Sequence, residues 1–104
     1  MDLAQKADAA ILAVADPIMG NLMEASTGID YERHTRDFTE RAKGVLSRPA
    51  FHSICKQYQS TKGFFAERAF VAAFRRPDSV AVVWRQTFTA MPGEYVAEMV
   101  LAQR

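Results

Sequence analysis

The chain has 104 residues, 49% of them apolar and 24% charged, with a formal net charge of +1. That length sets a single domain, residues 1–104, that can bury a core without disulfides or a metal, and the composition excludes a disordered chain. Near-neutrality excludes a strong overall field for nucleic acid or an acidic membrane surface.

Cys55 is the only cysteine, so no intrachain disulfide forms; this fits a reducing, cytoplasmic setting. The longest early apolar run, residues 9–15, lies between Asp8 and Asp16. It is too short to cross a bilayer. Asp2 and Asp8 precede it where an export signal has basic residues, so neither an export signal nor a membrane segment is expected.

Leu3, Ala7, Ile11, Val14, Ile18, Leu22 and Ala25 recur by threes and fours, which places them on one face of a helix. The register runs through Asp16-Pro17. Pro17 either kinks one long helix or opens a second one capped by Asp16. The unbroken stripe favours the single kinked helix, with Gly28 as the left-handed residue that ends it.

Asp30 sits where an N-cap belongs. Tyr31, His34 or Thr35, Phe38, Ala42 and Val45 or Leu46 form the next stripe, with a break allowed at Thr39 or Gly44. Ser47 to Pro49 restarts the chain into a third stripe of Phe51, Ile54, Cys55 and Tyr58.

The composition changes at Gly63. Residues 1–62 read as helical and residues 64–103 as β-meander. Strands are expected over residues 64–75, 80–90 and 95–103, joined by turns at Arg-Pro-Asp-Ser and Met-Pro-Gly-Glu, the latter of type II. Alternation puts Val80, Val82, Trp84, Gln86 and Phe88 on one face of the second strand. The first strand is ambiguous: Phe64, Phe70 and Phe74 fall on one face, Phe65, Ala69 and Val71 on the other. Such a double-faced strand is what a second packing surface needs. The expected fold class is α+β, with N-terminal helices packed on a curved antiparallel β-meander of three strands, or of four.

Two stretches carry a resemblance. "ADPIMGNLMEASTGIDYERHTRDF", residues 15–38, resembles the opening of a small prokaryotic family of uncharacterised domains, and "VVWRQTF", residues 82–88, resembles its central strand. The likeness covers residues 15–101. The order of helices and meander resembles the wider nuclear-transport-factor-like, cystatin-like superfamily. This implies a cone-shaped pocket between helices and sheet, and frequent dimers. Some members are isomerases or dehydratases; many only bind. The resemblance also implies a further strand after the one ending in Val100 and Leu101. Without it the last strand is a free edge, so pairing with a second copy is expected.

Chemical candidates are sparse. Glu67 and Tyr95 are the strand residues to weigh as acid or base, but solvated positions explain them as well. Asp30 and His34 share a helix face, as an acid–base pair would, yet capping and a boundary position account for both. His52 and Cys55 have metal-ligand spacing but no second cysteine completes a site, and Cys55 reads as a small buried hydrophobe. Arg68, Arg75, Arg76 and Arg85 among Phe64, Phe65, Phe70 and Trp84 suggest base stacking, against a nearly neutral chain.

Phosphate loops, nucleophile elbows and metal-helix motifs are absent from the sequence. The expectation is therefore a non-catalytic small-ligand-binding or assembly domain that dimerises through its sheet. No metal, cofactor, nucleic acid or membrane is expected. Ile18, Leu22, Phe38, Phe70, Trp84 and Phe88 are the expected pocket lining for a small apolar ligand. The alternative is a small pocket enzyme of the isomerase or dehydratase type.

Overall fold

One helix runs without interruption through Asp16-Pro17. This is α1 (Asp8–Thr27), followed by α2 (Tyr31–His34), α3 (Glu40–Val45) and α4 (Arg48–Lys62), then β1 (Phe65–Arg75), β2 (Ser79–Phe88) and β3 (Tyr95–Ala102). The computed structural model describes residues 5–102, so Leu3 and Gln103, assigned above to the first helix and last strand, lie outside the described residues. The chain is α+β: helices first, then one antiparallel sheet of order β1-β2-β3. No helix among the described residues is long and apolar enough to cross a membrane.

The core explains why α1 survives Pro17. Ile11, Ala15 and Met19 pack against Val80, Val82 and Trp84 of β2 and Met99 of β3. These α1 residues are four apart, so they form one ridge, and that ridge bridges the proline. The expected stripe was thus two ridges merged. Ala15 and Met19 are buried, whereas Val14 is 44% exposed and lies on the next ridge with Ile18 and Leu22. On α4, Phe51 and Cys55 are buried but Ile54 is exposed, off the packed face.

The α1 terminus departs from expectation by one residue. Gly28 is right-handed at φ −84°, and Ile29 takes the positive φ of 53°. Asp30 N–H donates to the Ala25 carbonyl at 2.8 Å and Ile29 N–H to the Ser26 carbonyl at 3.1 Å, a Schellman closure with Ile29 in the left-handed position. A β-branched residue there is strained. The helix that follows compensates, because Asp30 accepts from Arg33 N–H at 3.2 Å as its N-cap. Thr39 caps α3 through Ala42 N–H and Ser47 caps α4 through Ala50 N–H. The short helices therefore begin at hydroxyl or carboxylate side chains that satisfy free amides.

Val80, Val82, Trp84, Gln86 and Phe88 of β2 share the helix-facing side, as the alternation requires. The β1 ambiguity is resolved by two bulges. Between the Phe65–Phe88 and Arg68–Gln86 pairs β1 has one extra residue, and it has another between Phe70–Trp84 and Ala72–Val83. Each reverses the alternation. Phe65, Arg68, Phe70 and Ala73 turn toward the helices, and Phe74 is left on the opposite face. The buried Gln86 supports the first bulge by donating from Nε2 to the Ala66 carbonyl at 3.2 Å, and Thr87 Oγ1 donates to the Glu67 carbonyl at 2.9 Å.

Phe64 precedes β1 and Thr89 follows β2, but they remain joined: Thr89 N–H donates to the Phe64 carbonyl at 2.9 Å. The β1–β2 turn closes through Arg76 N–H on the Ser79 carbonyl at 2.9 Å. Gly93 adopts the positive φ, 110°, that a Pro-Gly bend needs.

Gly63, where α4 turns into β1, has φ 80°, and a Cβ there would overlap Thr89 Oγ1 and lie 2.9 Å from Ala90 Cβ. Gly63→Ala is expected to destabilise the fold by about 1–3 kcal/mol in urea unfolding. Gly28→Ala, with ordinary φ and only Glu24 O at 3.8 Å, is expected to be neutral or mildly stabilising in the same measurement.

Candidate functional site

β3 is an edge strand: among the described residues it is hydrogen-bonded to β2 alone. Beside it runs a groove. Its larger part is a hollow of about 460 Å³. The α1 ridge of Val14, Ile18 and Leu22 forms the floor, residues 37–39 with Ala42 form the far wall, and residues 98–102 of β3 form the near wall. A second hollow of about 280 Å³ continues past residues 96–98 toward Met19, Met23, Ser26 and His34. The two share Leu22 and Glu98, so together they follow β3 for most of its length.

Local structure opens this groove. Phe38 N–H donates to the Thr35 carbonyl at 3.0 Å, which ends α2 in a turn and brings Phe38 back beside His34, ring centres 5.5 Å apart. α3 then starts afresh at its Thr39 cap. The arm is held from behind: Tyr31 Oη donates to the Leu46 carbonyl at 2.6 Å, and the Phe51 ring lies 4.6 Å from His34. Asn21 also fixes α2, donating to the Arg33 carbonyl at 2.8 Å and accepting from Arg33 Nε at 2.8 Å.

Three of the six expected lining residues meet here: Ile18, Leu22 and Phe38. The other three lie elsewhere. Trp84 is 1% exposed in the core and Phe70 packs against it. Phe88 belongs to a separate aromatic cluster with Tyr58, Phe65 and Tyr95, and Lys62 Nζ lies 5.7 Å from the Phe88 ring and 5.4 Å from that of Tyr95. Sequence reasoning missed Val14 and Ala42 as lining residues. The four-residue spacing of Val14, Ile18 and Leu22 was the signal that could have found the ridge.

The chemical candidates have structural employment. Asp30 is a cap. His34 Nδ1 lies 3.0 Å from the Leu22 carbonyl, so this nitrogen carries the proton and donates. Tyr95 Oη donates to the Pro92 carbonyl at 3.2 Å, and Glu67 is exposed. Cys55 is buried with its Sγ 3.3 Å from Ser26 Oγ, which also meets Tyr58 Oη at 2.7 Å, while His52 is exposed. Among the described residues no three metal-ligating side chains cluster. Of the sheet arginines, Arg68 pairs with Asp16 at 3.2 Å, Arg75 with Asp8 at 2.7 Å and Arg85 with Glu94 at 3.4 Å. What the groove offers is apolar surface, a row of unpaired backbone groups and the Asp37 carboxylate.

The chain matches no family model, no curated protein and no solved structure.

Burial between Phe38 and Phe51 pushes the His34 imidazole below its ordinary pKa of 6.5, against a smaller opposing effect of the Leu22 carbonyl. Above pH 6.5 the ring is neutral in both folded and unfolded chains, and its packing is fully available. As pH falls below that value the unfolded chain binds a proton that the folded one resists, so stability declines until the lowered folded pKa is passed. Thermal melting from about pH 7 to about pH 5 should show this decline in the native chain and a flatter dependence in His34→Gln.

Proposed function

We propose that this chain is a non-catalytic binding and assembly domain that dimerises through its sheet. The observation that carries the reading is the sheet face turned away from the helices. An antiparallel sheet with one solvated face normally alternates apolar and polar residues. Here Phe74 is 56% exposed and Val100 53% exposed, on either side of the buried Ala81. Val71 and Val96 extend the exposed patch. Exposed apolar surface of this kind, here flanked by Arg85 and Glu98, marks an interaction site.

Charge favours a second copy as the occupant. Arg85, held 3.4 Å from Glu94 of its own chain, and Glu98 lie on this same face, so a two-fold axis can bring the partner's Glu98 to the Arg85–Glu94 pair. The face suits this better than the β3 edge does. Pairing β3 with itself about an axis through Glu98 sets that residue beside the partner's Glu98, and like charges across a strand pair are destabilising. The helices-then-meander order supports a place for the chain in the cystatin-like superfamily, and the lone buried thiol suits a cytoplasmic protein.

Sedimentation velocity at high micromolar concentration tests the reading. The native chain is expected to sediment as a dimer. Phe74→Asp and Val100→Asp, both at exposed positions, should weaken dimerisation by at least about tenfold with little change in melting temperature. A native chain that remains monomeric sinks the proposal.

A further inference from the structure

We infer that the groove beside β3 is a strand-acceptor site for an extended segment of another protein. That segment carries apolar side chains at alternate positions and a lysine or arginine between them. The site uses the outer edge and helix-facing side of β3, and it meets the proposed dimer face along that strand, where Glu98 borders both.

The near wall points to a peptide. It is formed by residues 96–102 of a strand whose outer edge has no β partner among the described residues. An edge strand presents N–H and C=O groups in a row, and an extended chain matches that row while an apolar small molecule does not. The floor points to alternation. Val14, Ile18 and Leu22 rise in four-residue steps along α1, and Phe38 and Ala42 face them across the larger hollow. A strand laid along β3 turns every second side chain into this space and the others toward the open face.

The charges select the segment. Two carboxylates border the groove: Asp37 on the helical wall and Glu98 on β3, with the Glu98 side chain turned toward the open face. Asp37 has Arg36 at 3.6 Å, but no lysine or arginine lines either hollow among the described residues. A lysine or arginine between the groove-facing residues of the incoming strand therefore gains a cross-strand partner in Glu98. A second copy fits poorly. Its β3, Tyr-Val-Ala-Glu-Met-Val-Leu-Ala, has no cation and brings another glutamate. Its β1 already commits Arg68 and Arg75 to Asp16 and Asp8, and a β1-to-β3 union repeats head to tail without closing.

The probe is the blocked peptide Thr-Val-Lys-Val-Thr-Val-Lys-Leu, titrated calorimetrically into the full chain. Its comparators carry Glu for Lys, or a central proline. The lysine peptide is expected to bind and to shift β3 backbone amide resonances. The glutamate peptide should bind about tenfold more weakly, and the proline peptide should lose the strand hydrogen bonds and bind more weakly still. Val14→Trp, at an exposed position, fills the groove and should remove binding. Glu98→Gln, at an exposed position, should narrow the lysine preference.

Phe74→Asp should leave peptide binding intact whether or not it changes the sedimentation of the chain, which separates this inference from the dimer. The inference is overturned if the lysine peptide fails to bind at millimolar concentration, or if both charge forms bind equally. It is also overturned if Val14→Trp leaves binding unchanged, if Phe74→Asp abolishes it, or if Val14→Trp dissociates a native dimer, which would assign the groove to a second copy.

Discussion

Everything in this fold hangs on one apolar seam, the ridge of Ile11, Ala15 and Met19 laid on Val80, Val82 and Trp84. Burial of such side chains contributes roughly 1.5–3 kcal/mol each, with Trp84 the largest fully buried side chain. The seam keeps α1 continuous across a proline that removes a helical hydrogen bond. It places β2 in the centre of the sheet, where both neighbours are antiparallel. It also sets the roll of α1, and the roll decides which residues reach the core and which are left for other uses.

Those left over make the surfaces. With the first ridge on the sheet, the second ridge of Val14, Ile18 and Leu22 has no strand beneath it and becomes the floor of a groove. With one layer of helices against one sheet, no described element covers the other sheet face, and Phe74, Val96 and Val100 are exposed there. The two surfaces meet at β3, an edge strand. An α+β domain of this size normally hides such residues or fills their faces with charge. The proposed binding and assembly role would use both surfaces.

The polar groups tell the same story from the other side. Asn21, Ser26, Tyr31 and His34 are each spent on holding the α2–α3 arm and α4 against α1. The arm is thereby fixed at a distance from β3 rather than collapsed onto it. Arg68 and Arg75 tie β1 to α1 through Asp16 and Asp8, which leaves little free positive charge on the helix-facing side of the sheet.

Much of this was legible locally. Asp30 and Ser47 announced helix starts, because their side chains satisfy amides within the next turn, while Thr39 was legible only as a break. The β2 alternation announced its buried face, and Pro92-Gly93 its turn, because both depend on backbone geometry within a few residues. Ile18, Leu22 and Phe38 were visible as apolar residues at helical spacing. The rest needed the tertiary structure. Gly28 was the cheaper left-handed residue, yet the hydrogen bonds of Asp30 and Ile29 put Ile29 there. The β1 bulges, which reverse its alternation, exist only in register with β2, so Phe70 and Phe74 could not be assigned to opposite faces from β1 alone. Trp84 and Phe88 share a strand face with the core but not with the groove. What the sequence by itself determined was the order of elements, their caps and turns, and the α+β class, since these follow from neighbours along the chain. Only packing decided which α1 ridge meets the sheet, which face stays bare and where the groove opens, since a ridge has no inside until another element lies against it.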